Sequence, residues 1–176
     1  FEDAAGESLE PQMEEAFALI RGTEEGEGLF GTGGDDVIEG LGGDDQISGG
    51  GGTDTLDGGT GDDEMVSGAE ATTFVYHVAD GGRDRIGNFN ADNGDRVVLD
   101  IPEGYELSDM RVEAGEPTVL KIGAGSVEIP NTQLNFGDGN TLEFRNVAVD
   151  DVKANPGWFE DAAGESLEPQ MEEAFA

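Results

Sequence analysis

Four nine-residue units follow one another without a gap from Gly31 to Val66: GTGGDDVIE, GLGGDDQIS, GGGGTDTLD and GGTGDDEMV. Each carries Gly at its fourth position, Asp at its sixth and an aliphatic residue or Met at its eighth. The last two positions pair as Asp36/Ile38, Asp45/Ile47, Asp54/Leu56 and Asp63/Met65. A unit with six turn residues and three strand residues gives the chain one corner and one short side. Glycine at the corners allows positive φ, so main-chain carbonyls can turn toward a common point. Aspartate adds a hard anionic oxygen, and several such oxygens together suit Ca²⁺. The eighth-position side chains point inward, and stacked copies form a thin apolar ladder. Two units complete one turn of a spiral, which should set Asp36 beside Asp54 and Asp45 beside Asp63.

The charge of this stretch predicts how it behaves without metal. Ten acidic side chains, from Asp35 to Glu64, crowd the four units, and no Lys or Arg occurs between Gly22 and Gly82. One inward side chain per nine residues cannot offset that repulsion together with the backbone entropy of so many glycines. Metal binding and folding should be one event. Over the whole chain, 8 basic and 41 acidic residues give a formal charge of −33, which excludes nucleic acid and insertion into an anionic membrane as expected partnerships. There is no cysteine, so disulfides and thiolate metal sites are excluded. No stretch approaches the ~20 apolar residues of a membrane span, and no secretory signal pattern opens the sequence.

Outside the four units the pattern changes. Residues 9–21 read as an amphipathic helix, with Leu9, Met13, Phe17 and Ile20 on one stripe, Ser8 as N-cap and Gly22 as stop. A helix there would cover the open end of the ladder, as repeat arrays require. After Val66 the repeat decays. Ser67 to Val75 keeps an inward Phe74 but has Glu70 and Thr72 in place of Gly and Asp. After a short insertion at Tyr76–His77–Val78, Gly82, Asp84 and Ile86 restore the pattern in 79–87, making Asp84 a third carboxylate on the side of Asp45 and Asp63. From Asn88 onward the sequence predicts antiparallel β-structure. Val97–Leu99 forms a strand, 119–122 and 126–129 a hairpin about Gly123-Ala124-Gly125, and Leu134 and Phe136 alternate inward before the turn at 137–140, with Leu142, Phe144 and Val147 following it. Val149 to Ala154 reads as one helical turn before Trp158.

These residues resemble the RTX (repeats-in-toxin, haemolysin-type) calcium-binding β-roll. The roll followed by FVYHVADGGRDRIGNFNADNGDRVVLD (74–100) is similar to the carboxy-terminal domains of serralysin-type proteases and to alginate epimerase R-modules. The segment 134–152 is similar to the last strands of such domains. The implied fold is all-β: a parallel β-roll closed by antiparallel strands, here with a short N-terminal capping helix. The implied domains are 1–21 as capping segment, 22–158 as roll and closing strands, and 159–176 beyond them. The resemblance implies about two to four Ca²⁺ ions held by turn carbonyls and sixth-position Asp. By position, one ion would use Thr32, Gly34 and Asp36 facing Gly49, Gly51 and Asp54. A second would use Leu41, Gly43 and Asp45 facing Gly58, Thr60 and Asp63. A third would join Gly59, Gly61 and Asp63 to Ala79, Gly81 and Asp84. It also implies export unfolded through type I secretion machinery of a Gram-negative bacterium, with folding outside the cell or on its surface.

A second feature concerns the ends. FEDAAGESLEPQMEEAFA occurs at 1–18 and again, letter for letter, at 159–176. Three readings stand: a tandem array in which 159–176 starts the next copy, one segment placed deliberately at both ends, or a head-to-tail polymer in which one subunit's tail fills the place of a neighbour's leader.

For catalysis there is no support. His77 is the single histidine, so no HExxH motif exists, and no Gly-x-Ser-x-Gly elbow occurs. The chain reads as a non-enzyme. Three functions remain: a calcium-binding structural module of a secreted adhesin, surface-layer or fibre protein that self-associates through its repeated ends, the non-catalytic secretion domain of an exported hydrolase, or a carbohydrate-binding module. The last needs an exposed row of aromatic or basic side chains.

Overall fold

The computed structural model describes residues 17–79, 82–107, 110–122 and 125–175. The first half is a spiral of short strands: β1 (Leu19–Arg21), β2 (Gly28–Phe30), β3 (Val37–Glu39), β4 (Gln46–Ser48), β5 (Asp54–Asp57), β6 (Glu64–Val66), β7 (Thr72–His77), β8 (Arg83–Gly87) and β9 (Arg96–Asp100). Odd and even strands alternate between two parallel sheets, so each strand pairs with the strand one full turn away: Ile38 opposite Leu56, Ile47 opposite Met65. The insertion around Tyr76 lengthens β7 and widens the spacing of the next turn, so that Met65 meets Ile86.

The second half closes this spiral with β10 (Arg111–Ala114), β11 (Thr118–Ile122), β12 (Gly125–Ile129), β13 (Asn131–Gly137), β14 (Asn140–Arg145), α1 (Val149–Ala154), β15 (Phe159–Asp161) and α2 (Glu168–Phe175). The hairpin β11–β12 stands apart as a two-stranded sheet. β13 pairs antiparallel with β10 and β14, as the alternation of Leu134 and Phe136 predicts. The antiparallel expectation does not hold for β9, which joins the spiral in parallel with β7. β14 pairs antiparallel with β13 on one edge but parallel with β8 on the other, and β15, in the repeated segment, adds in parallel to β9. One sheet therefore runs β1-β3-β5-β7-β9-β15 and the other β10-β13-β14-β8-β6-β4-β2. The spiral ends in strands with free edges facing onward, and the next strands satisfy them in the direction the winding has already set.

The core follows the same plan. Ile38, Ile47, Leu56, Met65, Phe74 and Ile86 are essentially inaccessible and form the ladder. Toward β9 it widens into an aromatic group. Tyr76 stacks on Phe136 at 5.0 Å, and Phe89 lies edge-on to Phe144 and tilted against Trp158.

The expected N-terminal helix requires correction. Residues 9–16 lie outside the described residues, but Leu19–Arg21, the end of the expected helix, is strand β1 paired with β3. Backbone bonds from Val37 to Ala18 and from Gly22 to Glu39 fix it there. A paired edge strand with Ile20 on the ladder outweighs the weak intrinsic preference of a short amphipathic segment. Ile20 and Leu29 continue the nine-residue spacing of Ile38 and Ile47 backward, so two degenerate units precede Gly31. In the second copy of the repeated segment Glu168–Phe175 is a helix, α2, with Met171 buried.

Candidate metal centre

The sixth-position aspartates are buried, and they stand in two columns. On one flank the Glu27 amide donates to Asp45 Oδ1 (2.8 Å), the Asp45 amide to Asp63 Oδ1 (2.8 Å) and the Asp63 amide to Asp84 Oδ1 (3.1 Å). On the other the Ala18 amide donates to Asp36 and the Asp36 amide to Asp54 Oδ1 (3.0 Å). Each carboxylate thus ties its own turn to the turn before it. The remaining oxygens, Oδ2 of Asp45, Asp54 and Asp63, are buried and accept no hydrogen bond from the described residues. An anionic oxygen in that state costs several kcal/mol unless a cation compensates it.

Glycine makes room for these oxygens. A Cβ at Gly40, Gly49 or Gly58 would collide with Oδ2 of Asp45, Asp54 or Asp63 respectively. The second and fourth positions of the turns adopt positive φ at Leu41 (76°), Gly43 (91°), Gly50 (93°), Gly52 (85°), Gly59 (86°) and Gly61 (136°). These angles let each turn stack on the last. The Gly51 amide donates to the Thr32 carbonyl (3.0 Å) and the Thr60 amide to the Leu41 carbonyl (3.1 Å), so both carbonyls lie at the seam between turns. Hard carboxylate oxygens beside carbonyls at a glycine corner are the donor chemistry of a Ca²⁺ site. The residues present fit that ion.

Electrostatics agree. Burial, followed by repulsion from Asp45, pushes the Asp63 carboxyl up to about 6. Burial and the neighbouring Asp63 push Asp84 up to about 8. Burial also raises Asp45 and Asp54. Asp36 differs: burial raises it, but bonds from the Thr32 amide and hydroxyl and the Ala18 amide outweigh that and leave it lowered. The acids that lack compensation are those deepest in the spiral.

The five aspartates named from sequence, Asp36, Asp45, Asp54, Asp63 and Asp84, all fall in these columns. Thr32, Gly34, Leu41, Gly43, Gly49, Gly51, Gly58, Gly59, Thr60 and Gly61 occupy the turns beside them, and Ala79 sits in the turn after β7. Gly81 lies outside the described residues. Two members of the columns went unnamed. Glu27 holds the sixth position of the degenerate unit 22–30, with its carboxylate on the Thr23 amide and hydroxyl. Asp95, buried, takes the Thr72 amide on Oδ1 (2.8 Å) and the Asn90 amide on Oδ2 (2.9 Å). Its signal was the Asp-x-apolar spacing to Val97, matching Asp54 and Leu56. His77 is also more than a plain strand residue, since it bridges Asp57 and Asp100 at 3.0 Å each.

Among known proteins, the family model for the RTX calcium-binding nonapeptide repeat matches residues 30–65 in four copies. The chain is also similar to the solution structure of the AlgE6R3 subunit from the Azotobacter vinelandii mannuronan C5-epimerase. That likeness has 23% identity and a TM-score of 0.46, and it covers 82% of this chain and 83% of that one. No curated protein matches the chain. RTX nonapeptide repeats bind calcium, and the four copies coincide with the turns that bury Asp36, Asp45, Asp54 and Asp63. The chain therefore carries a calcium-binding RTX nonapeptide roll.

Proposed function

We propose that the chain is a structural module of a secreted RTX protein of adhesin, surface-layer or fibre type, wound into its roll by Ca²⁺ after export. The observation that carries this reading is the row of buried, unpartnered Oδ2 atoms on Asp45, Asp54 and Asp63. No described residue donates a hydrogen bond to these oxygens, and a divalent cation at the turn seams would compensate them. The ligand sets are those named by position: Thr32, Gly34 and Asp36 with Gly49, Gly51 and Asp54; Leu41, Gly43 and Asp45 with Gly58, Thr60 and Asp63; and Gly59, Gly61 and Asp63 with Ala79, Gly81 and Asp84. When bound, the ion supplies charge neutralisation and a crosslink between successive turns. The chain's own residues supply the register, because every Asp Oδ1 already grips an amide one turn away.

Extracellular calcium modules bind at roughly 10⁻⁴ to 10⁻³ M, and calcium at ten times such a Kd adds about 1.4 kcal/mol per site. Several coupled sites then decide between wound and unwound, and a low-calcium compartment leaves the chain open for a type I export channel. The arginines speak against a carbohydrate-binding role. Arg21, Arg83, Arg96 and Arg145 are engaged with Glu39, Asp62, Glu160 and Glu64. Tyr76 is buried, and Trp158 packs on Phe89.

Circular dichroism against calcium concentration tests the reading. Asp45→Ala with Asp63→Ala should raise the calcium needed for folding about tenfold or more, the effect of losing at least one such site. A midpoint unchanged from that of the parent chain would refute the site assignment.

A further inference from the structure

The acids at the fifth position of the repeat, Asp35, Asp44 and Asp62, belong to none of the ligand sets, yet they are placed as strictly as the ligands. The Thr53 amide donates to Asp35 Oδ1 (2.7 Å), the Asp62 amide to Asp44 Oδ1 (3.0 Å) and the Arg83 amide to Asp62 Oδ1 (3.1 Å). Each of these bonds runs from one turn back to the acid of the turn before it. The sixth-position bonds run the other way, from the Asp36, Asp45 and Asp63 amides forward to Asp54, Asp63 and Asp84. Neighbouring turns are thus clasped by a reciprocal pair of bonds to carboxylates, one on the outside and one within. A single bond is a pivot about which two turns can swing. The pair fixes both their separation and their rotation.

Among the described residues the full clasp closes three junctions: 35–36 with 53–54, 44–45 with 62–63, and 62–63 with 83–84. These are the three junctions proposed to hold an ion. Elsewhere an arm is missing. Before Asp45 the fifth position is Gly26, and before Asp36 it is Phe17, so only the inner bond forms there. After Asp54 neither arm forms, because Thr53 offers no carboxylate to the next turn and Thr72 stands in place of the inner acid. Glu70, where the repeat has glycine, reaches back to the Gly52 amide instead (3.1 Å). Asp35 and Asp44 are exposed, so packing does not account for them. On a chain of formal charge −33, their charges alone would only add repulsion.

We propose that Asp35, Asp44 and Asp62 are positioning residues for calcium, which act through the ligands by fixing the seam across which the sixth-position carboxylates and the turn carbonyls face one another. The inference rests on the calcium reading above and deepens it. Ca²⁺ takes its oxygens at about 2.3–2.6 Å. A seam free to swing has to be ordered by the ion itself, which lowers affinity, whereas a clasped seam is ordered beforehand by the chain. The acceptor oxygen does this, and the charge does not. An asparagine carbonyl oxygen in the same place accepts the same amide.

Asp35 and Asp44 carry the test, because Asp62 is also ion-paired with the Arg83 guanidinium. Asp35→Ala with Asp44→Ala removes two bonds and two charges, while Asp35→Asn with Asp44→Asn removes the same charges and keeps the acceptors. Each bond contributes about fivefold to the winding equilibrium. Shared among coupled ions, that makes the calcium midpoint by circular dichroism about two- to fivefold higher for the alanine form than for the asparagine form. Deuterium exchange reads the clasp directly: at saturating calcium the Thr53 and Asp62 amides should exchange about fivefold faster in the alanine form. Equal midpoints for the two forms, or equal exchange at these amides, overturn the proposal. Should the alanine form never wind, an asparagine form that winds supports it, and one that also fails overturns it. A parent chain whose winding ignores calcium overturns the calcium reading and this inference together. A calcium-dependent parent with equal midpoints for the two forms overturns this inference alone.

Discussion

At the scale of single residues, the chemistry lies in carboxylates that the roll buries before anything neutralises them. Asp63, pushed up to about 6 by burial and then by Asp45, and Asp84, pushed up to about 8 by burial and then by Asp63, take up protons in the wound state at pH values where the open chain releases them. Their folded values are raised, so the stability they contribute is fully present below the ordinary carboxylate range and is lost as pH rises through about 6 and about 8. In chelator, winding should therefore become more favourable as pH falls from 8 to 5, measured as a growing circular-dichroism signal of the wound state. With calcium the order reverses, because protons compete for the same oxygens, and apparent affinity should fall over that interval. Gly52 provides a test of a different kind. Its φ is 85°, and an added Cβ would strike the backbone of Gly34. Gly52→Ala should cost at least about 1–3 kcal/mol in chemical denaturation with calcium present.

At the scale of elements, the ladder and the strand pairing argue one point twice. The period that places Ile38, Ile47, Leu56 and Met65 in the core was open to reading, because an apolar residue every ninth position has no helical or meander explanation. Ile20 and Leu29 keep that period without Gly at the fourth position or Asp at the sixth, and the helical stripe through Leu9, Met13, Phe17 and Ile20 hid them. The stripe was real in composition: in the second copy Glu168–Phe175 is a helix with Met171 buried, while in the first copy Leu19–Arg21 is strand. The parallel addition of β14 and β15 could not be read locally, since pairing direction depends on which strand edge is left free. His77 illustrates another limit. It links β7 to β5 through Asp57 and to β9 through Asp100, partners set by the insertion that shifts the register. Hydrogen bonding to Asp57, ahead of the opposing effect of burial, raises its imidazole to about 9. The stability it adds is full below its ordinary value near 6.5 and disappears as pH passes about 9. His77→Gln should remove that alkaline component from the thermal midpoint measured between pH 7 and pH 10.

For the whole molecule, a formal charge of −33 and a ladder one side chain thick make compactness conditional. A compact chain of this length has a radius of gyration of about 16 Å and an unfolded one about 45 Å. X-ray scattering in chelator at neutral pH should move toward the larger figure, and added calcium should bring it back in one cooperative step. A roll that stays compact in chelator would show that the aromatic end, around Phe89, Phe144 and Phe159, holds the fold without metal.

The two flanks of the spiral are unequal. Between Asp45, Asp63 and Asp84 the chain of amide-to-carboxylate grips is continuous, but on the opposite flank Thr72 interrupts it. There the Asp54 amide reaches the Ala71 carbonyl, and the Thr72 hydroxyl turns to Ser67. Under tension applied at its two termini, such a coil would yield first along the flank with the missing acid. It would behave less like a uniform spring than like a hinge with one stiff side.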